Sequence, residues 1–241
     1  LHQDVHSFPT RRSSDLGQPI GDPLNIALPR PRPPRSPMAG RLVKIVPTDA
    51  ATHAEALFEA FCLDADGRNW TYLPYGPFGS VDELKVWMER TCTGDDPLFH
   101  TILDGEGQPV GLASYLRIDP ANGAIEVGHI HLSPRLQRTA MSTEAMYLMM
   151  ARVFDELGYR RYEWKCDALN APSRAAAERL GFSCEGIFRQ ATHYKGRNRD
   201  TAWFAIIDKD WPAQKVRFER WLDPSNFDGK GRQKTPLAVK G

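Results

Sequence analysis

The chain has 241 residues, with 31 Lys and Arg against 30 Asp and Glu, a formal net charge of +1. Apolar residues make up 41% and charged residues 25%, as in an ordinary globular domain, which excludes a collagen, a coiled coil and a wholly disordered chain. No run of about 18 apolar residues is present, so no transmembrane helix or membrane partner is expected. The near-zero charge gives no support for a nucleic-acid partner. Cys62, Cys92, Cys166 and Cys184 are far apart and form no CxxC pair. Neither a metal site nor a disulfide framework is expected, and a reducing cytoplasm is the simplest location.

Composition divides the chain. Residues 1–37 hold eight of the 19 prolines, five arginines and few large apolar side chains. Such a segment buries too little surface to offset its ordering entropy. Within it, residues 6–16 (HSFPTRRSSDL) resemble the in-frame translation of a short-read sequencing adapter. Residues 1–16 are therefore expected to be an artefactual tail and 17–37 a Pro-rich arm. Residues 38–222 suit one domain, and 223–241 read as a polar C-terminal tail.

In chain order, residues 41–48 (RLVKIVPT) alternate like a strand. Asp49 or Thr52 then caps a helix over about 52–63 that places Ala54, Leu57, Phe58 and Phe61 on one face. An aromatic loop, 69–78, precedes a helix over about 81–91 capped by Ser80. Residues 98–104 and 109–118 are strands joined by the hairpin signal at 105–107, and 125–132 (IEVGHIHL) continues the meander. Residues 140–157 form a helix that is apolar around much of its circumference, which implies burial against a sheet. Strand 161–166, an Asn170-initiated helix to 180 stopped by Gly181, strands 184–192 and 201–208, and an amphipathic helix to 222 complete the order. No internal repeat is present.

Chemistry concentrates at two points. The strand 125–132, its loop and the helix from 140 leave unpaired N–H groups at a helix N-terminus, a setting for phosphate. Gln137, Arg138, Thr139, Ala140, Met141, Ser142 and Thr143 supply small residues and charge there. The second point is Asn170-x-x-Ser173 followed by Arg179-Leu180-Gly181-Phe182. A capped helix with a glycine stop accounts for it locally.

Together the two points are similar to the GNAT acyltransferase superfamily, over about 41–211. The likeness is greatest to the branch that acetylates ribosomal-protein N-termini and similar amines. Ile125-Glu126-Val127-Gly128, Thr143-Glu144-Ala145 and Asn170-x-x-Ser173…Leu180-Gly181-Phe182…Glu185-Gly186 carry it. One position departs: the family's pyrophosphate turn ends Gly-x-Gly/Ala, and here it reads Ala140-x-Ser142.

The resemblance implies an α/β fold with a mixed, twisted sheet that splays between strands 125–132 and 162–167. It also implies acetyl-CoA as cosubstrate, no metal, and an amine acceptor that is a protein N-terminus or a small molecule. Pantetheine would enter the splay, the diphosphate would sit on the 138–143 amides, and Asn170 and Ser173 would lie near the thioester. Acetyl transfer would proceed by direct attack in a ternary complex. Glu126, spaced like the glutamate base of histone-type members, His129 and His131 are the base candidates. Each could instead be a structural residue. Strand alternation puts the two histidines on the face opposite Glu126. Ser173, by resemblance, and Tyr194, by position, are the acid candidates. Trp70, Tyr72, Tyr75 and Phe78 either wall the acceptor site or cover the core. The tip 195–200 (KGRNRD) either guides an acidic acceptor or the CoA 3′-phosphate, or is a solvated turn. A non-catalytic acyl-CoA-binding module is the alternative function, and monomer and homodimer both stay open.

Overall fold

The computed structural model describes residues 17, 18 and 20–237. The adapter-like segment, and the expectation attached to it, lies outside the described residues. Among the described residues, eight strands and five α-helices follow one another as β1 (Met38–Ala39), β2 (Lys44–Pro47), α1 (Ala50–Cys62), α2 (Val81–Thr91), β3 (Leu98–Leu103), β4 (Pro109–Asp119), β5 (Ala124–Leu132), α3 (Ala140–Ala151), β6 (Arg161–Asp167), α4 (Ala171–Arg179), β7 (Ser183–Tyr194), β8 (Arg197–Ile207) and α5 (Trp211–Leu222). Only β1 was not expected. At two residues it is too short to show a period.

The strands form one sheet in the order β1-β2-β3-β4-β5-β6-β8-β7. Every neighbouring pair is antiparallel except β5 with β6, which is parallel. A parallel pair needs a long crossover, and α3 supplies it. Local chemistry sets the helix ends. Asp49 accepts from the Ala51 N–H, Ser80 from Glu83, Thr139 from Ser142 and Asn170 from Ser173. Each satisfies a donor that the first turn leaves open.

Alternation along β4 divides the core. Leu112 packs with Leu57, Phe61, Leu84, Met88 and Phe99 under α1 and α2. Ala113 and Tyr115 join the larger cluster with Met149, Tyr162, Phe204 and Phe218 under α3 and α5. The near-uniform apolarity of α3 is explained by its contacts: Ala145, Met146, Met149 and Met150 are all buried. A π-helical turn, Arg152–Glu156, continues it.

Segments outside the expected domain also touch it. Arg30 Nε donates to the Leu157 carbonyl at 2.9 Å, and buried Arg152 donates to the carbonyls of Ser36 and Pro37. At the other end Leu237 is buried in the larger cluster, and Trp221 Nε1 donates to Gln233. No described helix is long and apolar enough to cross a membrane.

Candidate active site

The parallel pairing of β5 with β6 is short. It runs from Ala124↔Arg161 to Val127↔Trp164 and stops. β5 continues to Leu132, while β6 stays paired to β8 as far as Asp167. The two strands therefore part, and an opening of about 220 Å³ lies between them. Its wall includes Gly128, His129, Trp164, Lys165, Asn170 and Ser173. The backbone of β5 beyond Val127 faces this gap with no partner from β6, an open edge to which an extended ligand can add.

At the far end of β5 the chain turns into α3. Gln137 Nε2 donates to the Leu132 carbonyl at 2.8 Å and closes the turn. Thr139 caps the helix, donating to Leu136 O and accepting from Ser142 N. Ser142 and Thr143 hydroxyls turn back to Thr139 O. Among the described residues no backbone carbonyl accepts from the amides of Arg138, Thr139, Ala140 and Met141. These four donors, with the helix dipole, make an anion cradle. The left-handed residue of the turn is Arg138, at φ 60°, not Ala140. Ala140 is the first residue of α3 and its methyl packs against the larger core. A glycine is therefore not required there. Ala140→Gly should change CoA affinity less than about tenfold, roughly 1.4 kcal/mol. Ala140→Val should weaken it further by crowding the amides, and calorimetry reads both.

Glu126 is 3% exposed. Arg117 Nη1 lies 2.8 Å from each of its oxygens, and Lys165 Nζ lies 2.8 Å from Oε2. Lys165 also pairs with Glu163 at 2.7 Å and sits over the Trp203 ring. Burial works against the Glu163 carboxylate, but Lys165 and Arg161 outweigh it and hold the group below its ordinary value. Burial of such charges is tolerated only with pairing of this quality.

The expectation that both histidines face away from Glu126 is corrected. The β4–β5 register shifts between Leu112↔His131 and Ser114↔Gly128, and His129 takes φ 50°. The extra residue resets the alternation. His131 packs between Phe61 and Trp70 under α1, and His129 contacts Tyr75 and Phe99 on that same side. His131 is 2% exposed and does not reach the opening. His129 does, with Nδ1 3.2 Å from the Tyr75 hydroxyl. Burial, and then the Arg117 charge, pushes His129 down to about 4, so the ring is neutral near pH 7.

On the other wall, Asn170 Oδ1 caps α4, and Trp164 Nε1 donates to Ser173 Oγ at 3.0 Å. The Ser173 hydroxyl also lies within hydrogen-bond reach of the Cys166 sulfur, so it already serves as a donor towards sulfur. The Tyr194 hydroxyl donates to Asp167 Oδ2 at 2.8 Å, and burial followed by Asp167 raises its pKa.

Of the four loop aromatics, only Tyr72 lines the opening. Trp70 is buried against Phe61, Phe78, Tyr75 and His131, and Tyr75 and Phe78 pack at a tilt against Trp87. These three cover the smaller core, because each large ring buries more free energy there than at an open rim. Sequence reading missed Arg117, Lys165 and Asp167, which also line the opening, as does Arg199 of the tip 195–200. Glu163, Lys165 and Asp167 alternate on a central strand, a signal that charge was being buried on one face.

A family model described as acetyltransferase (GNAT) domain matches residues 42–183. The chain belongs to the GNAT family. It is a GNAT N-acetyltransferase by that domain. A GCN5-related N-acetyltransferase from Brucella melitensis is 46% identical, with a TM-score of 0.86 over 89% of this chain and 97% of that one. The "Uncharacterized N-acetyltransferase p20" of Bacillus licheniformis is 25% identical over 144 residues, 58% of this chain and 80% of the relative. The microcin C7 self-immunity acetyltransferase MccE, solved with acetyl-CoA and AMP, is 20% identical with a TM-score of 0.61, covering 70% of this chain and 93% of that one. It shares the fold.

Proposed function

We propose that this GNAT domain moves an acetyl group from acetyl-CoA to a primary amine, of a peptide N-terminus or a small molecule, by direct attack in a ternary complex. The observation that carries the reading is the alignment of the β5–β6 gap with the free amides that open α3. The gap suits an extended pantetheine, and the amides suit its diphosphate. MccE, which shares the fold, was solved with acetyl-CoA. No cluster of three or more metal-ligating side chains is found among the described residues, and the proposal does not call on a metal.

The amine, neutral when it attacks, approaches the thioester from the side of Tyr72 and His129. Glu126 has both oxygens engaged by cations, so its role is to hold Lys165 and Arg117. His129 is the neutral acceptor at the opening and takes the amine's proton through water. A base of such low pKa is weak, so positioning of the two substrates supplies most of the rate. Ser173 donates to the leaving sulfur, whereas the Tyr194 proton is committed to Asp167.

Free-thiol release, with acetyl-CoA and each of a panel of amines varied together, tests this. Intersecting double-reciprocal lines are expected. His129→Gln should lower kcat by about tenfold, below the usual 10²–10⁴ for a strong base. Parallel lines would contradict direct attack. Saturable CoA binding with no turnover of any amine would favour a non-catalytic acyl-CoA-binding module.

A further inference from the structure

Most charges around the opening meet a partner of opposite sign. Glu126 is met by Arg117 and Lys165, and Glu163 by Arg161 and Lys165. The Asp167 oxygens take the Tyr194 hydroxyl and the Leu169 N–H. Neither Asp167 nor Arg199, on β8, has an ion-pair partner among the described residues, so Arg199 is the cation left without a carboxylate on it. It lines the opening and lies 5.8 Å from the Tyr194 ring centre. Its Nε is buried with no hydrogen-bond acceptor, and no described carboxylate reaches it as an ion pair. Neighbouring Asp200 instead accepts from Gln190 N and Asn198. A second cation of the tip, Lys195, donates only to the Trp70 carbonyl, at 2.8 Å.

Burying a guanidinium nitrogen without an acceptor costs free energy. The guanidinium lines the opening, and its two outer nitrogens form a donor pair for a planar anion from outside. From the opposite wall, Tyr72 and Asn69 face the same space. The Tyr72 hydroxyl donates to the Leu169 carbonyl at 3.2 Å, which fixes the ring across the opening from β8.

We propose that Arg199 recognises a carboxylate on the acceptor, so that the acceptor class is an amine that also carries a carboxylate. A free amino acid and a peptide with an acidic first residue both present this chemistry. The assignment rests on the acetyl-transfer reading above. Arg199 acts here as a specificity-determining residue: it touches the acceptor away from the reacting amine.

The test compares matched acceptors by free-thiol release: alanine with alaninamide, and an Asp-initiated with an Asn-initiated tetrapeptide, both peptides C-terminally amidated. Wild type should favour the carboxylate member of at least one pair by tenfold or more in kcat/KM. The favoured pair tells amino acid from peptide. Arg199→Ala should raise KM for that member at least tenfold with kcat little changed, and leave its neutral partner within twofold. Arg199→Lys should restore part of the preference. Equal use of both members by wild type, or an equal loss on both in Arg199→Ala, would overturn the proposal. Calorimetry with the N-acetylated members of both pairs separates it from the transfer reading. If no amine is turned over, the transfer reading fails, and tighter binding of a carboxylate member, lost in Arg199→Ala, would still support the carboxylate site. Equal binding within both pairs would overturn it.

Discussion

Acidification from pH 7 to pH 4 should remove about 6 kcal/mol of stability through His100 and His131, with the half-buried His129 adding in the same direction. His100 and His131 are both buried. Burial pushes His100 down to about 4, with the Arg152 charge adding to it, and pushes His131 down to about 3. His131 lies 4.0 Å from the Phe61 ring and 3.9 Å from the Trp70 ring, between centroids, and neither of its nitrogens finds an acceptor. An imidazolium there would be charged and dry. Both folded values lie below the unfolded value of 6.5, so the unfolded chain takes up protons first. The stabilisation is complete above pH 6.5, falls progressively below it, and is gone once pH has passed the folded values of about 4 and 3. At 1.36 kcal/mol per unit, each site contributes about 3 kcal/mol by pH 4. The sum is comparable with the whole stability of a domain. Urea unfolding at pH 7, 5.5 and 4 checks it. His131→Phe, placed between two aromatic rings, should reduce the slope by about one proton. An unchanged slope would mean that His131 is solvated.

Glu144→Ala should be the other costly change, at about 2–4 kcal/mol, with little loss of CoA affinity. The Glu144 side chain points from α3 to the turn before β2. Its Oε1 accepts from Arg41 N at 3.0 Å, and its Oε2 accepts from Leu42 N at 2.6 Å and Val43 N at 2.9 Å. Truncation leaves three donors short of an acceptor, one of them buried. The carboxylate sits so close that a Cβ at residue 40 would meet it, which explains Gly40. A Gln has one carbonyl oxygen for the three donors and sets an NH₂ against them, so Glu144→Gln should recover less than half. Thermal or urea midpoints at fixed pH read both. A loss under 1 kcal/mol for Ala would mean that water replaces the carboxylate at the turn.

Periodicity made most of the fold legible. Alternation found β2 to β6 and β8, and caps such as Ser80 and Asn170 marked helix starts, because these signals act within a few residues. The β5–β6 gap was legible only through the resemblance carried by motifs such as Asn170-x-x-Ser173. Two features hid the site's detail. The bulge at His129 reset which face His131 occupies, and a one-residue insertion leaves no trace in composition. The charge lattice of Arg117, Glu126, Glu163 and Lys165 joins three strands far apart in sequence, so no local window contains it. The aromatic loop was ambiguous for a different reason. Trp70 and Tyr72 have the same local setting, and only tertiary packing sends one inward and leaves the other at the opening.

The central claim is that backbone amides at the start of α3 hold the CoA diphosphate. Ala140→Pro tests it with little effect on the fold. Position 140 is the first of the helix, where proline fits, and Thr139 has φ −107° and ψ 166°, extended values that a following proline accepts. The substitution deletes one donor of the cradle and leaves its intrahelical bonds intact. Calorimetry with CoA should show affinity at least tenfold weaker than wild type, with the thermal midpoint moved by no more than a few degrees. CoA bound as tightly by the proline variant as by wild type would contradict the account.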